Sequence, residues 1–117
     1  MRILVCGQRE FNDASAVNRV LGEYLAPDLV IIEGTCKGAD TLAHDYAVRM
    51  HLANWRFPAQ WRLHGKRAGF LRNQRMLDEG KPDLVIAFFN DPDSSKGTKM
   101  MVEISRRAGV KVQVEAS

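Results

Sequence analysis

The chain has 117 residues, 45% hydrophobic and 26% charged, with a formal net charge of +3. That balance is ordinary for one soluble globular domain spanning residues 1–117, and a mildly basic surface favours an anionic partner without choosing between a nucleotide and a polymer. No apolar run approaches the roughly 20 residues that cross a bilayer, and the two cysteines, Cys6 and Cys36, exclude a disulfide framework and fit a reducing cytoplasm.

In chain order, the apolar run of residues 2–6 predicts a first strand, which makes the amino terminus too short to read as a signal peptide. Residues 13–25 predict a helix with Val17, Val20, Leu21, Tyr24 and Leu25 on one face, Asn12 or Asp13 as N-cap, and Pro27 beyond its end. A second strand at 28–32 runs through Glu33-Gly34-Thr35-Cys36-Lys37-Gly38-Ala39-Asp40 into a helix at 39–51. Leu42, Ala43, Tyr46, Ala47 and Met50 carry that helix's period. A third strand at 54–57 precedes a basic loop and a helix at 68–79, stopped by Gly80 and Pro82. A fourth strand at 83–89 leads to a helix at 98–108 ending at Gly109, and a fifth strand covers 111–114.

Strict strand–helix alternation predicts an α/β, Rossmann-like, three-layer domain with a parallel sheet. The first, second and fourth strands are continuous apolar runs, as in strands covered on both faces, whereas the third and fifth alternate as edge strands do. Right-handed crossovers then give the order 3-2-1-4-5, with a ligand crevice at the carboxyl ends of strands 1 and 4.

Four loops converge on that crevice. The first brings Gly7 and Arg9, an arginine placed to reach an anion or simply to meet solvent. The second brings Gly34, Thr35, Gly38, Ala39 and Asp40. A glycine-rich turn opening a helix exposes backbone N–H groups suited to a phosphate or carboxylate, although the glycines also serve any tight βα turn. Asp40 is placed to cap the helix or bind a ribose hydroxyl. The loop at 90–98 ends in Gly97 and Thr98, which offer N–H donors and a hydroxyl, or an ordinary helix start. The loop after strand 3 brings Trp61, which can stack on a base or pack. It also brings Arg72 and Asn73, read as lying in the first turn of a helix, where a cation needs an anion to offset the dipole.

Other chemistries find less support. Cys36 near a helix start is a candidate nucleophile, but no histidine spacing pairs with it. His44, His51, His64 and the cysteines match no metal-ligand spacing, so no metal is expected. The chain has neither a Walker A lysine nor a Gly-x-Gly-x-x-Gly after its first strand, and no cofactor is implied.

As a set, Ile3–Phe11, Gly34–Asp40, Pro58–Trp61, His64–Lys66, Ala68-Gly69, Arg72-Asn73 with Met76-Leu77, and Gly97-Thr98 resemble the SLOG superfamily around the Smf/DprA and LOG proteins. The likeness is greatest to its small YspA-like branch of bacteria and phages. The resemblance implies a Rossmann-like fold that binds nucleotides or nucleotide-derived ligands. LOG enzymes, phosphoribohydrolases, carry Gly-Gly-x-Gly-Thr-x-x-Glu. Here Met101 stands at the glutamate position, Asp93-Ser94-Ser95 replace the glycine pair, and Glu103 falls two positions further on.

The leading expectation is therefore a cytoplasmic domain, a homodimer or higher homo-oligomer, that senses or sequesters a phosphorylated nucleotide derivative. Backbone amides, Arg9 and Arg72 would hold phosphate, while Asp40 and Asn73 address sugar or base. The alternatives are a nucleotide N-glycosidase using Glu10, Asp40 or Glu103, and a DprA-like binder of single-stranded nucleic acid using Arg62, Lys66, Arg67, Arg72 and Arg75 with Trp61.

Overall fold

The computed structural model describes residues 1–91 and 95–116. Pro92, Asp93 and Ser94, which make up part of the expected polar loop and of the altered glycine pair, lie outside the described residues.

Five strands, β1 (Arg2–Gly7), β2 (Val30–Glu33), β3 (Ala53–Arg56), β4 (Leu84–Phe88) and β5 (Lys111–Glu115), form one sheet in the order β3-β2-β1-β4-β5. Every pairing is parallel, with Leu4 opposite Ile32 and Val85, and Cys6 opposite Ala87. The expected order and the α/β Rossmann-like class both hold.

The apolar runs of the central strands reflect two separate cores, because successive side chains leave a strand on opposite faces. Ile3 and Val5 pack with Val17 and Leu21 of α1 (Ala14–Gly22) and with Ala43, Tyr46 and Ala47 of α2 (Ala39–Arg49). Leu4 and Cys6 pack on the other face with Met76 and Leu77 of α4 (Ala68–Gly80) and Met101 and Val102 of α5 (Lys96–Arg107). No residue of the edge strands β3 and β5 is fully buried, and their exposure does not follow the alternation expected from the sequence: Trp55 of β3 is half-exposed under the Arg2 guanidinium, 4.6 Å from its ring centre, and Val114 of β5 is exposed while Gln113 is partly covered.

Helix ends differ from the sequence expectation where local bonds decide them. Asp13 is the N-cap of α1, accepting from the Ala16 N–H at 3.0 Å. That helix ends at Gly22 because the N–H groups of Glu23, Tyr24 and Leu25 bond three residues back, tightening the last turn. In α4, Gly80 is the last helical residue, and Lys81 takes the left-handed closing position at φ 47°. Ser95 caps α5, which starts two residues earlier than expected.

One helix escapes the sequence reading altogether. Residues expected as loop form α3 (Trp61–His64) and a 3₁₀ turn (Gly65–Arg67) before α4. All seven of these residues are exposed, so no apolar period marks them.

Candidate functional site

The loops after β1, β2, β3 and β4 meet above the carboxyl ends of the strands around a cavity of about 360 Å³. Such a volume suits a small ligand. Cys6 and Gly7 of β1, with Met76 and Met101, form its floor. Arg9, Glu10, Cys36, Asp40, Arg72, Asn73 and the start of α5 (Ser95–Thr98) line it further. The opening therefore lies on the α4/α5 face of the sheet. A second cavity of about 580 Å³ adjoins it, shares Arg9, Glu10, Cys36, Trp61 and Arg72, and adds Gly34, Thr35 and Lys37.

Close backbone packing fixes this geometry. A Cβ on Gly7 would sit 2.3 Å from the Phe88 carbonyl oxygen and 2.6 Å from the Ala39 Cβ, so β1, β4 and α2 can converge only at a glycine. Gly38, at φ +79°, lies against the Gln8 and Arg9 carbonyls, where a Cβ would come within 2.3 Å of Gln8 O. Gly38 and fully buried Ala39 therefore shape the wall from behind and line neither cavity.

The turn after β2 corrects the expectation of an open amide nest. The Gly34 N–H donates to Asp40 Oδ2 at 3.0 Å, and the Cys36 N–H donates to the same oxygen at 3.2 Å. The Thr35 N–H donates to Glu33 Oε1 at 2.7 Å, with Thr35 held at φ 65°. Those three amides are closed by the protein's own carboxylates. Glu33, fully buried, is balanced by Arg56 Nε at 2.7 Å and by the Asn54 amide at 3.2 Å. Burial pushes the Asp40 carboxyl up to about 7, and the Glu33 carboxylate pushes it the same way. The Cys36 and Gly34 amides and the Arg72 guanidinium pull against that rise. Burial likewise raises the Cys6 thiol.

Arg72 and Asn73 are corrected too. They lie in the second turn of α4, and both are buried, at 8% and 5% exposure. Arg72 Nη1 donates to the carbonyls of Gly34 and Phe57, Nη2 reaches Cys36 Sγ at 3.7 Å, and Nε donates to Asn73 Oδ1 at 2.9 Å. The Asn73 amide in turn donates to Gly97 O at 3.2 Å. This pair ties the β2 turn, the end of β3 and the start of α5 together. The Thr98 N–H is also committed, donating to Ser95 Oγ at 3.2 Å, while its hydroxyl accepts from Ser95 at 2.7 Å.

Cations remain at the mouth. Arg9, Lys66 and Lys96 are exposed, line the cavity, and form no ion pair among the described residues. Trp61 and Phe70, 51% and 49% exposed, stand on the same rim. Glu10 lines both cavities, whereas exposed Glu103 lines neither. Met101, which stands at the position of the LOG glutamate, is fully buried in the floor.

Sequence reasoning overlooked Glu33, whose only signal is a carboxylate closing an apolar strand. It also overlooked Phe70 and the sulfur-rich floor of Cys6 and Met76, which read as core.

Comparison with known proteins agrees with this architecture. Over 119 residues the chain is 32% identical to the Gene 61 protein of Mycobacterium phage D29, covering 95% of this chain and 93% of that one. The X-ray structure of DNA processing protein A (DprA) from Streptococcus pneumoniae superposes with a TM-score of 0.75 over 97% of this chain at 21% identity. The chain spans about half of that protein, 49% of its length. Residues 1–64 match the family described as "YspA, cpYpsA-related SLOG family", and the chain belongs to that SLOG family.

Proposed function

We propose that the protein binds a phosphorylated nucleotide or nucleotide-derived ligand in this cavity and acts as a sensor or sequestering domain. One observation carries the reading: at the carboxyl end of a parallel sheet, exposed cations that form no ion pair among the described residues stand beside a buried carboxyl and two half-exposed aromatic rings. Arg9, Lys66 and Lys96 supply charge for phosphate, Asp40 an acceptor for sugar, and Trp61 or Phe70 a face for a base. SLOG membership and a fold shared with a DNA-processing protein support the same chemistry. Arg72 contributes its charge from within the wall.

A thermal-shift screen over nucleotides, cyclic nucleotides and ADP-ribose derivatives tests this. A true ligand at about 100 times its Kd adds roughly 2.7 kcal/mol of stability. A screen without any stabilising compound counts against the site.

A second reading rests on the exposed stretch Trp61–Arg67, where Trp61 and Lys66 line the cavity and Arg62 and Arg67 are exposed in the same short segment. Such a surface suits single-stranded nucleic acid, through stacking and backbone charge. Affinity that grows with oligonucleotide length, and exceeds that of any mononucleotide, selects this reading. Hydrolysis of the glycosidic bond is not expected: buried Met101 can neither steady an oxocarbenium-like centre nor exchange a proton with the leaving base. Efficient release of free base from nucleoside monophosphates would reverse that conclusion.

A further inference from the structure

Asp40 is only 6% exposed, yet it lines the cavity. Its two oxygens differ. Oδ2 accepts both backbone bonds, from Gly34 and Cys36, and no donor of a described residue reaches Oδ1. Among the described residues no fully buried side-chain polar atom lacks a partner. Oδ1 is therefore not sealed in protein, and the open space beside it is the cavity.

We propose that Asp40 Oδ1 accepts a sugar hydroxyl of the bound ligand, so that the site prefers ribonucleotides to deoxyribonucleotides and releases a proton when they bind. This rests on the nucleotide reading above and adds to it the sugar and the ligand's orientation. An isolated acceptor in a buried position is most stabilised by a neutral donor such as a hydroxyl, whereas a phosphate there would meet like charge.

The surrounding charges sort the ligand in the same sense. Around Asp40 stand the Cys6 thiol from β1, Glu33 from β2 and Arg72 from α4. Arg9 and Glu10 come from the loop after β1, Lys66 from the 3₁₀ turn and Lys96 from the start of α5, all lining the cavity. The exposed cations are at the mouth and the carboxyl is in the wall, so phosphate faces outward and the hydroxyl inward.

The proton balance follows from the state of the free carboxyl, which titrates at about 7 because of its burial. A hydroxyl donating to Oδ1 favours the carboxylate, so the proton leaves to solvent on binding and affinity rises with pH through that value. A phosphate beside Oδ1 would favour the acid form, giving proton uptake and the opposite pH trend.

Titration calorimetry of the full chain with AMP, 2′-deoxy-AMP and 3′-deoxy-AMP, near neutral pH in buffers of different ionisation enthalpy, reads both quantities. The Asp40→Asn variant retains an oxygen for the two amides and carries no titrating proton. The phosphate's own titration is common to both proteins and cancels between them. AMP is expected to bind the wild type about ten- to hundredfold tighter than at least one deoxy analogue, the range of a hydrogen bond to a charged group, with net proton release. Asp40→Asn is expected to abolish both the preference and the Asp40 proton. Should the variant fail to fold, the wild-type ratio of AMP to deoxy affinity must still rise with pH. Binding of all three nucleotides with equal affinity, or proton uptake, overturns the role of Asp40 while leaving the nucleotide reading intact. Failure of all three to bind overturns both.

Discussion

The wall and the rim of the cavity are made of the same residue types and behave oppositely. In the wall, Arg72 is buried and committed to Gly34 O, Phe57 O, Cys36 and Asn73, and the amides of Gly34, Thr35 and Cys36 are closed by Asp40 and Glu33. On the rim, Arg9, Lys66 and Lys96 are exposed and pair with no carboxylate among the described residues. An ionic group taken out of water needs several fixed partners, and those partners define its position. One left in water keeps its charge free for a ligand. The wall thus supplies shape and the rim supplies attraction.

Arg72→Ala is the harshest challenge to that division. It leaves the Gly34 and Phe57 carbonyls and Asn73 Oδ1 without their donor, and should destabilise the fold by about 3 kcal/mol in chemical denaturation. It also removes the positive charge that pulls Asp40 down, so Asp40 should titrate higher in the variant. Unchanged stability would place Arg72 with the rim.

Arg9→Ala should do the reverse. Affinity for a phosphorylated ligand should fall by about 1.5–3 kcal/mol, while stability stays within about 0.5 kcal/mol of wild type. Calorimetry paired with denaturation distinguishes the two residues directly, and a large loss of stability here would erase the contrast.

Asp40 sharpens the comparison through pH. Its folded carboxyl titrates above its ordinary value, so the stability linked to it is complete at low pH and is lost as pH rises through about 7. Asp40→Asn should flatten that decline by at least about 1.4 kcal/mol, the worth of one pKa unit. Parallel stability–pH curves for the two proteins would show that the two amides already stabilise the carboxylate fully.

The smallest effect is expected at Trp61→Ala. A half-exposed ring on the rim should change nucleotide affinity by about 1 kcal/mol, the lower end for stacking on a base, and leave stability nearly untouched. A stability loss several times larger would make Trp61 a packing residue.

By itself the sequence determined the layers and the strand order. The runs Ile3–Cys6, Leu29–Ile32 and Leu84–Phe89 require cover on both faces, the alternating strands belong at the edges, and parallel crossovers have one hand. It also placed the four loops at one end of the sheet, along with Gly7, Arg9, Asp40, Gly97 and Thr98 at the cavity. Only the tertiary structure decided what each polar group there is committed to. Whether Arg72 meets an anion or the Gly34 carbonyl depends on residues 38 positions apart, and whether the Gly34 amide is open depends on where the Asp40 side chain turns. A periodic apolar face announces itself along the chain because burial repeats with the backbone. A hydrogen-bond partner does not, because it is chosen in space.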